Sequence, residues 1–248
     1  MNATLWLRHQ RNKTLKMCGI HKPLRVYRMC GRFTLHTSAG ELVRVFRLIK
    51  PPTNLADRWN VAPTQQVLAV RQSNEGREPV WMRWGLIPSW AKDAKIGSGM
   101  INARAETIAE KPSFRTAFKR RRCLVIADGF YEWSKFEKVK VPYLITLKNQ
   151  STLAFAGLWE QWKDATGDWI ESTTIVTTNP NSLMAGIHDR MPVILPRERY
   201  DEWLDVNTQD IEQLQKLLVP YPPEEMEFKK VSPVINNARN EVDPRIAG

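Results

Sequence analysis

The sequence predicts an α+β fold, a single domain with a curled, largely antiparallel β-sheet flanked by short helices. Three observations carry the fold class. Apolar runs of strand character outnumber helical ones. The two kinds do not alternate strictly, as a doubly wound parallel sheet would require. At least one pair of runs, 67–71 and 80–84, flanks a tight turn at Ser73-Asn74-Glu75-Gly76, which suits antiparallel neighbours. A chain of 248 residues suits one large domain or two small ones and can bury a sizeable core.

In chain order, residues 38–49 read as a helix. Ser38 or Thr37 can cap it, Leu42, Val43, Phe46 and Ile49 form its apolar face, and Pro51-Pro52 stops it. After the hairpin, 105–110 and 113–118 read as short helices divided by Pro112. The run 123–127 is continuously apolar, as a strand buried on both faces would be. Asp128-Gly129 turns the chain and 130–133 continues as strand, followed by strands at 143–147, 152–159 and 173–177. A helical turn precedes His188, and 193–195 reads as strand. Helices are expected at 198–204 and 209–218, and a last strand at 226–231 after Pro220, Pro222 and Pro223.

The charge is uneven. The chain carries +11, yet seven basic and no acidic residues fall in 1–28, leaving 30 basic against 26 acidic in the remainder. The body is therefore mildly basic, which permits a nucleic-acid partner without demanding one. Three cysteines, Cys18, Cys30 and Cys123, are too few and too odd for a secreted disulfide scaffold, so a reducing, cytoplasmic setting is expected. No Cys-x-x-Cys or His-x-x-x-His spacing suggests a metal, no glycine-rich loop suggests a phosphate cofactor, and no segment reaches the roughly 18–20 apolar residues of a membrane helix. Of ten tryptophans, most are expected in the core and the rest as stacking surface.

Residues 1–28 form a basic leader without the apolar stretch of a secretory signal. They read as sequence upstream of a misassigned start or as a removed propeptide, with a faint likeness to a transit peptide. The run Met29-Cys30-Gly31-Arg32-Phe33 looks like a true beginning. With Met29 trimmed, Cys30 would carry an α-amine and a thiol on adjacent carbons, a pair that condenses with aldehydes to a five-membered thiazolidine. Other polar residues stand at element ends. Asn102, ahead of Glu106, reads equally as a helix cap. Glu132 lies between Tyr131 and Trp133, on the opposite face of a strand, as a solvated carboxylate or a half-buried acid of raised pKa. His188, beside Asp189, is structural or catalytic. On spacing alone a Cys30–His188 peptidase dyad also stays open.

Taken together, six motifs decide between these readings. They are Met29-Cys30-Gly31-Arg32-Phe33, Trp59-Asn60-Val61-Ala62-Pro63-Thr64, Arg83-Trp84-Gly85-Leu86-Ile87-Pro88-Ser89-Trp90, Asn102-Ala103-Arg104-Ala105-Glu106-Thr107, the run from Arg122 through Asp128-Gly129-Phe130-Tyr131-Glu132-Trp133, and Ile187-His188-Asp189-Arg190-Met191-Pro192-Val193. In order and spacing the chain resembles the SOS-response-associated peptidase (SRAP) family of abasic-site processing proteins. The resemblance implies a domain at 29–243 with a short tail at 244–248. It implies that Cys30 links covalently to the ring-opened aldehyde of an abasic site in single-stranded DNA, shielding it from strand cleavage. Asn102, Glu132 and His188 match the family's active site, and Arg32, Arg104 and Arg190 its phosphate-contacting arginines. Asn60, Pro63, Trp84, Trp90 and Trp133 match positions around its DNA groove. No cofactor or metal is implied, nor a membrane. The expected state is a monomer in the cytoplasm, nucleoid-associated when on DNA, with lyase-like chemistry and, as the alternative, autopeptidase cleavage at Met29–Cys30.

Overall fold

The computed structural model describes residues 31–134 and 141–246; Cys30 and the basic leader lie outside the described residues. Twelve strands and five α-helices are found there. They run β1 (Phe33–Leu35), α1 (Ala39–Phe46), β2 (Arg58–Val61), β3 (Gln66–Ser73), β4 (Gly76–Trp84), β5 (Asn102–Arg104), α2 (Arg115–Arg120), β6 (Arg122–Ala127), β7 (Gly129–Trp133) and β8 (Pro142–Leu147). Then follow β9 (Leu153–Lys163), β10 (Trp169–Thr178), α3 (Ser182–Ala185), β11 (Met191–Pro192), α4 (Tyr200–Leu204), α5 (Ile211–Gln215) and β12 (Met226–Lys230).

The strands form two sheets. One is antiparallel throughout, in the order β12-β8-β7-β1-β2. The other runs β11-β10-β4-β3-β6-β9 and closes on itself, because β9 also pairs with β10. The closed ring β10-β4-β3-β6-β9 is a small barrel, completed by a short parallel contact of Ser172 and Thr173 with Arg83 and Trp84. Closure removes the free edges that an open sheet would expose. The α+β class and the curled, mostly antiparallel sheet hold.

Strand alternation sorts the apolar side chains into two cores. Cys123, Val125 and Ala127 of β6 join Phe33, Met82, Trp84, Phe130 and Phe155 in a cluster shared by the barrel and the five-stranded sheet. Leu124 and Ile126 face the other way, with Leu68, Val70, Ala156 and Leu158, beneath α1, α2, α4 and α5. Both faces of β6 are therefore dry, and this is why 123–127 is apolar without interruption. Gly157 on β9 leaves room for the β6 side chains beside it: a Cβ there would lie 2.8 Å from Cys123 Sγ and 3.0 Å from Val125 Cγ2.

Capping explains the helix bounds. Ser38 accepts from the Glu41 N–H, and Arg47 takes a left-handed φ of 52°, ending α1 before the prolines. Ile49 therefore leaves the apolar face and is 42% exposed. Asp210 caps α5 through the N–H groups of Glu212 and Gln213, so that helix is shorter than the expected 209–218. The expected helix at 105–110 is a series of turns, because the Ala105 N–H is donated to Thr177 O at 2.9 Å, continuing the sheet. For the same reason Asn102 begins the strand β5 and not a helix. The expected strand at 193–195 follows β11 as a bridge between Ile194 and Phe155, with backbone bonds from Val193 to Val176 and from Leu195 to Ala154.

Arg122, at the start of β6, ties the outer helices to the barrel. Its guanidinium donates to the carbonyls of Phe118, Lys119, Trp203, Asp205 and Thr208. Burial brings its pKa down to about 10. Packing continues past Asp243: Pro244 is buried, and the Arg245 guanidinium lies 4.9 Å from the Trp59 ring centre. Among the described residues no helix is long and apolar enough to cross a membrane.

Gly157→Ala should cost about 1–3 kcal/mol through overpacking. Urea denaturation will read this as a lower midpoint at unchanged slope.

Candidate functional site

The upper half of β10 gathers the polar residues singled out in the sequence. β5 lies parallel along one edge, with Asn102 beside Ile175 and Arg104 beside Thr177. β11 lies antiparallel along the other, with Pro192 opposite Thr177 and Met191 opposite Thr178. Arg190 spans the two. It is only 7% exposed, donates to Thr177 O at 2.7 Å and to Asn179 Oδ1 at 3.1 Å, and grips both carboxylate oxygens of Glu106. These hydrogen bonds from Arg190 hold the Glu106 carboxyl below its ordinary pKa. The segments carrying Asn102 and His188 are thereby fixed to one end of the barrel.

His188 is 3% exposed, beside a largely exposed Asp189. Its Nδ1 accepts from the Arg190 N–H at 3.2 Å and lies 2.9 Å from Asp189 Oδ1. The two contacts call for opposite protonation. The backbone N–H needs a bare Nδ1, with the proton of the neutral ring on Nε2, whereas a hydrogen bond to the carboxylate needs the proton on Nδ1. The ring is thus held between a donor and an acceptor in one orientation.

Glu132 belongs to the other sheet. It is 3% exposed in β7, with Tyr131 on the opposite face in a small cluster with Leu144, Val231 and Ile235. The face assignment from alternation holds, and the carboxylate is buried, not solvated. β1 pairs with β7 in the register Phe33–Phe130, and the Tyr131 N–H donates to Arg32 O at 2.9 Å. Continued by two residues beyond Phe33–Phe130, that register would set Gly31 opposite Glu132. The chain thus enters the domain alongside this carboxylate. The flanks of all three candidates share the inner core: Ile101, Phe130, Met184 and Met191 belong to one buried cluster.

Arg32 and Asn60 anchor the entry. Arg32 donates to Asn60 Oδ1 at 2.7 Å and to Ile235 O at 2.9 Å, with its guanidinium 5.9 Å from the Trp133 ring centre. Burial lowers its pKa. Asn60 is fully buried, and its amide nitrogen serves the carbonyls of Ile235, Asn237 and Asn240. Trp133 donates from its indole to Asn236 Oδ1 at 2.6 Å. One C-terminal loop, 235–240, is therefore held against β2 and β7 by three residues of the sequence motifs.

Three of the residues expected around the DNA groove are buried. Asn60 is saturated by the loop carbonyls. Trp84 is wholly buried, with its indole N–H on Ile101 O and its ring 5.1 Å from Phe33, so it offers no face for stacking. Arg190 is buried with its charge answered by Glu106. These three build the site from behind. Arg104 is exposed, Trp133 and Pro63 are half-buried, and Trp90 is 58% exposed on a loop pinned by the Trp162 indole on Ala91 O. Thr64, next to Pro63, holds a φ of 74°, which a β-branched residue seldom adopts, and is fixed by its N–H on Trp84 O.

Other features escaped the sequence. Glu106 pairs with Arg190 across 84 positions, a partnership that no spacing signals. Trp59 is stacked against His36 at 4.2 Å, with Arg245 also over its ring. Cys123 is fully buried, and desolvation pushes its thiol up to about 12, so it stays protonated and inert at neutral pH. A hollow of about 500 Å³ lined by Gln66, Trp81, Gln161, Trp169, Ile170 and Glu171 lies toward the opposite end of β10 and includes none of the candidate residues.

Fold and site together define a barrel-and-sheet protein with a buried acid, a buried histidine and an asparagine whose chain neighbours share one inner core. The chain belongs to the SOS response associated peptidase (SRAP) family, whose model matches residues 29–238. It is 46% identical over 215 residues to the abasic site processing protein YoqW of Bacillus subtilis, covering 86% of this chain and 96% of that one. It is 34% identical over 262 residues to the abasic site processing protein HMCES of Mus musculus, covering 86% and 74%. A solved structure of a Bacteroides thetaiotaomicron protein superposes with a TM-score of 0.80 at 27% identity, covering 88% of this chain and 100% of that one.

Two outcomes follow. Asn60→Ala leaves the carbonyls of Ile235, Asn237 and Asn240 short of donors and should cost about 2–4 kcal/mol, as a lowered urea midpoint. Glu106 has a depressed folded pKa, so its contribution is present above the unfolded value near 4.5 and is lost as pH falls through the folded value. The difference in melting temperature between the wild type and Glu106→Gln should therefore be present at pH 7 and shrink below pH 4.5.

Proposed function

We propose that this protein processes abasic sites, binding single-stranded DNA and forming a covalent thiazolidine between Cys30, freed by removal of Met29, and the ring-opened deoxyribose. The observation that carries the reading is the β1–β7 pairing, with the Tyr131 N–H on Arg32 O, which extended by one residue brings Gly31, the residue bonded to Cys30, alongside the buried Glu132. Two relatives named as abasic site processing proteins support the same substrate.

The chemistry suits a 1,2-aminothiol. The open-chain aldehyde accepts the Cys30 amine, giving a carbinolamine that loses water to an imine. Left there, the imine acidifies the neighbouring C–H and invites β-elimination and strand cleavage. The thiol adds to the imine carbon, its proton passes to the nitrogen, and the ring closes. The net change is loss of one water, and the electron sink is gone. Serine would form a weaker ring, and lysine would stop at the imine.

In this reading Glu132 delivers the proton to the departing hydroxyl and to the sugar ring oxygen as it opens, and it can return one during reversal. His188, oriented by the Arg190 N–H and Asp189, relays protons at the same oxygen. Asn102 orients the amine or the freed hydroxyl. Exposed Arg104 meets phosphate directly, and Arg32 holds the entry strand against Trp133. Trp90 and Trp133 offer stacking surface beside the missing base, at about 1–3 kcal/mol per base. Cys123 is excluded as nucleophile by its burial. The protein acts as a monomer in the cytoplasm, on the nucleoid when bound to DNA. The peptidase in the family's description favours a second activity, cleavage of the chain's own Met29–Cys30 bond, which would expose the same amine.

Protein beginning at Cys30, incubated with single-stranded DNA holding one abasic site, should give a shifted band on a denaturing gel. Cys30→Ala should abolish it, and its persistence would refute the reading. Glu132→Gln should slow adduct formation at least tenfold with an unchanged melting transition; unaltered kinetics would remove Glu132 from its role. Time-dependent loss of residues 1–29 from intact full-length protein, read by mass spectrometry, tests the self-cleavage.

A further inference from the structure

Between Lys111 and Arg122 the chain places six basic residues and no acidic one: Lys111, Arg115, Lys119, Arg120, Arg121 and Arg122. Two have internal work. Arg122 is buried among five carbonyls, and Arg121 pairs with Glu160 at 2.6 Å. The other four are exposed. Among the described residues none of them has a carboxylate in ion-pair contact. Glu106 is held by Arg190 and Glu160 by Arg121; Glu110, exposed beside Lys111, is the remaining nearby acid.

A helix that needs only a solvated face can use either sign, and mixed signs serve it best. Here Ile108, Phe114, Ala117 and Phe118 bury the inner face of this segment in the outer core, and the outer face is basic alone. Four unanswered cations equal the whole excess of 30 basic over 26 acidic residues outside the leader. The stripe is also continuous with the site. Thr107 N–H bonds to Arg104 O, Lys111 N–H to Thr107 O, and Arg115 N–H to Lys111 O, at 3.1, 3.1 and 2.9 Å. Arg104, Thr107, Lys111 and Arg115 are therefore linked turn by turn away from β5, and Arg115 and Lys119 stand about one turn apart on α2.

We propose that this stripe on α2 and the turn before it is a phosphate track, which binds the backbone of the DNA strand as it leaves the abasic site. The inference rests on the function proposed above and extends it: the footprint on DNA is longer than the site, and binding along the extension is electrostatic and independent of base sequence. The apolar contacts of α2 lie on the other face, so Arg115, Lys119 and Arg120 can be replaced without disturbing the core.

The experiment compares wild type with Arg115→Ala/Lys119→Ala/Arg120→Ala, both beginning at Cys30. Affinity for a 30-nucleotide single strand without a lesion is measured by fluorescence anisotropy from 50 to 200 mM salt. Each lost phosphate contact should flatten the log–log slope by about 0.7, so three should reduce the salt-induced fall in affinity roughly twentyfold. An unchanged slope and affinity in a variant with an unchanged circular dichroism spectrum would overturn the track. Adduct formation on a six-nucleotide strand with a central abasic site is measured in parallel. Equal adduct from both proteins, with the flattened slope on the long strand, is the expected result. Absence of adduct from the wild type would instead sink the function on which the track rests.

Discussion

The pairing of β10 along both edges is the constraint on which the rest depends. Its first half is held by β9 and touches β4, which closes the barrel; its second half takes β5 on one side and β11 on the other. A strand saturated on both edges has no freedom of register, since a one-residue slip would move every side chain to the opposite face. The segments that carry Asn102 and His188 inherit that rigidity. Arg190 then locks them to each other through Thr177 and Glu106. Precision at the site is thus supplied by backbone pairing, while the loops that carry the polar groups stay short.

Division of labour among the arginines follows from burial. Arg122 and Arg190 are charges kept inside by dense hydrogen bonding, and removing their partners would leave costly unpaired groups. Arg104 and the cations of α2 are solvated and free to trade water for phosphate. Arg32 stands between, half-buried and held by Asn60 and a carbonyl, with its plane near Trp133. A list of basic residues would rank these alike. Only their surroundings separate structural cations from those that can meet a polyanion.

Much of the fold was legible because its signals are local. The β3–β4 hairpin shows in its turn, α1 in its cap, and β6 in an apolar run that two dry faces demand. The short strands β1, β2, β5 and β11 were not legible, because two to four residues cannot establish a period and only distant partners make them strands. Helix 105–110 failed for the same reason: a sheet partner outbid its modest propensity. In the site, residue identities came from motif resemblance. What the sequence withheld was the depth at which each side chain lies. Nothing in the linear motifs tells that Asn60, Trp84 and Arg190 are buried while Arg104 and Trp90 are exposed.

The loop that Asn60 and Arg32 hold lies far along the chain: Arg32 reaches Ile235 across 203 positions. Such a contact is among the most non-local the fold contains, and it closes late. During synthesis the entry strand is made first and must wait for nearly all of the domain before its anchor exists. A polypeptide interrupted anywhere upstream of residue 235 therefore keeps its first strand but lacks the brace that aligns Arg32 beside Trp133. Alignment of the entry strand is deferred to the finished molecule, because Arg32 has no anchor until translation has passed the loop.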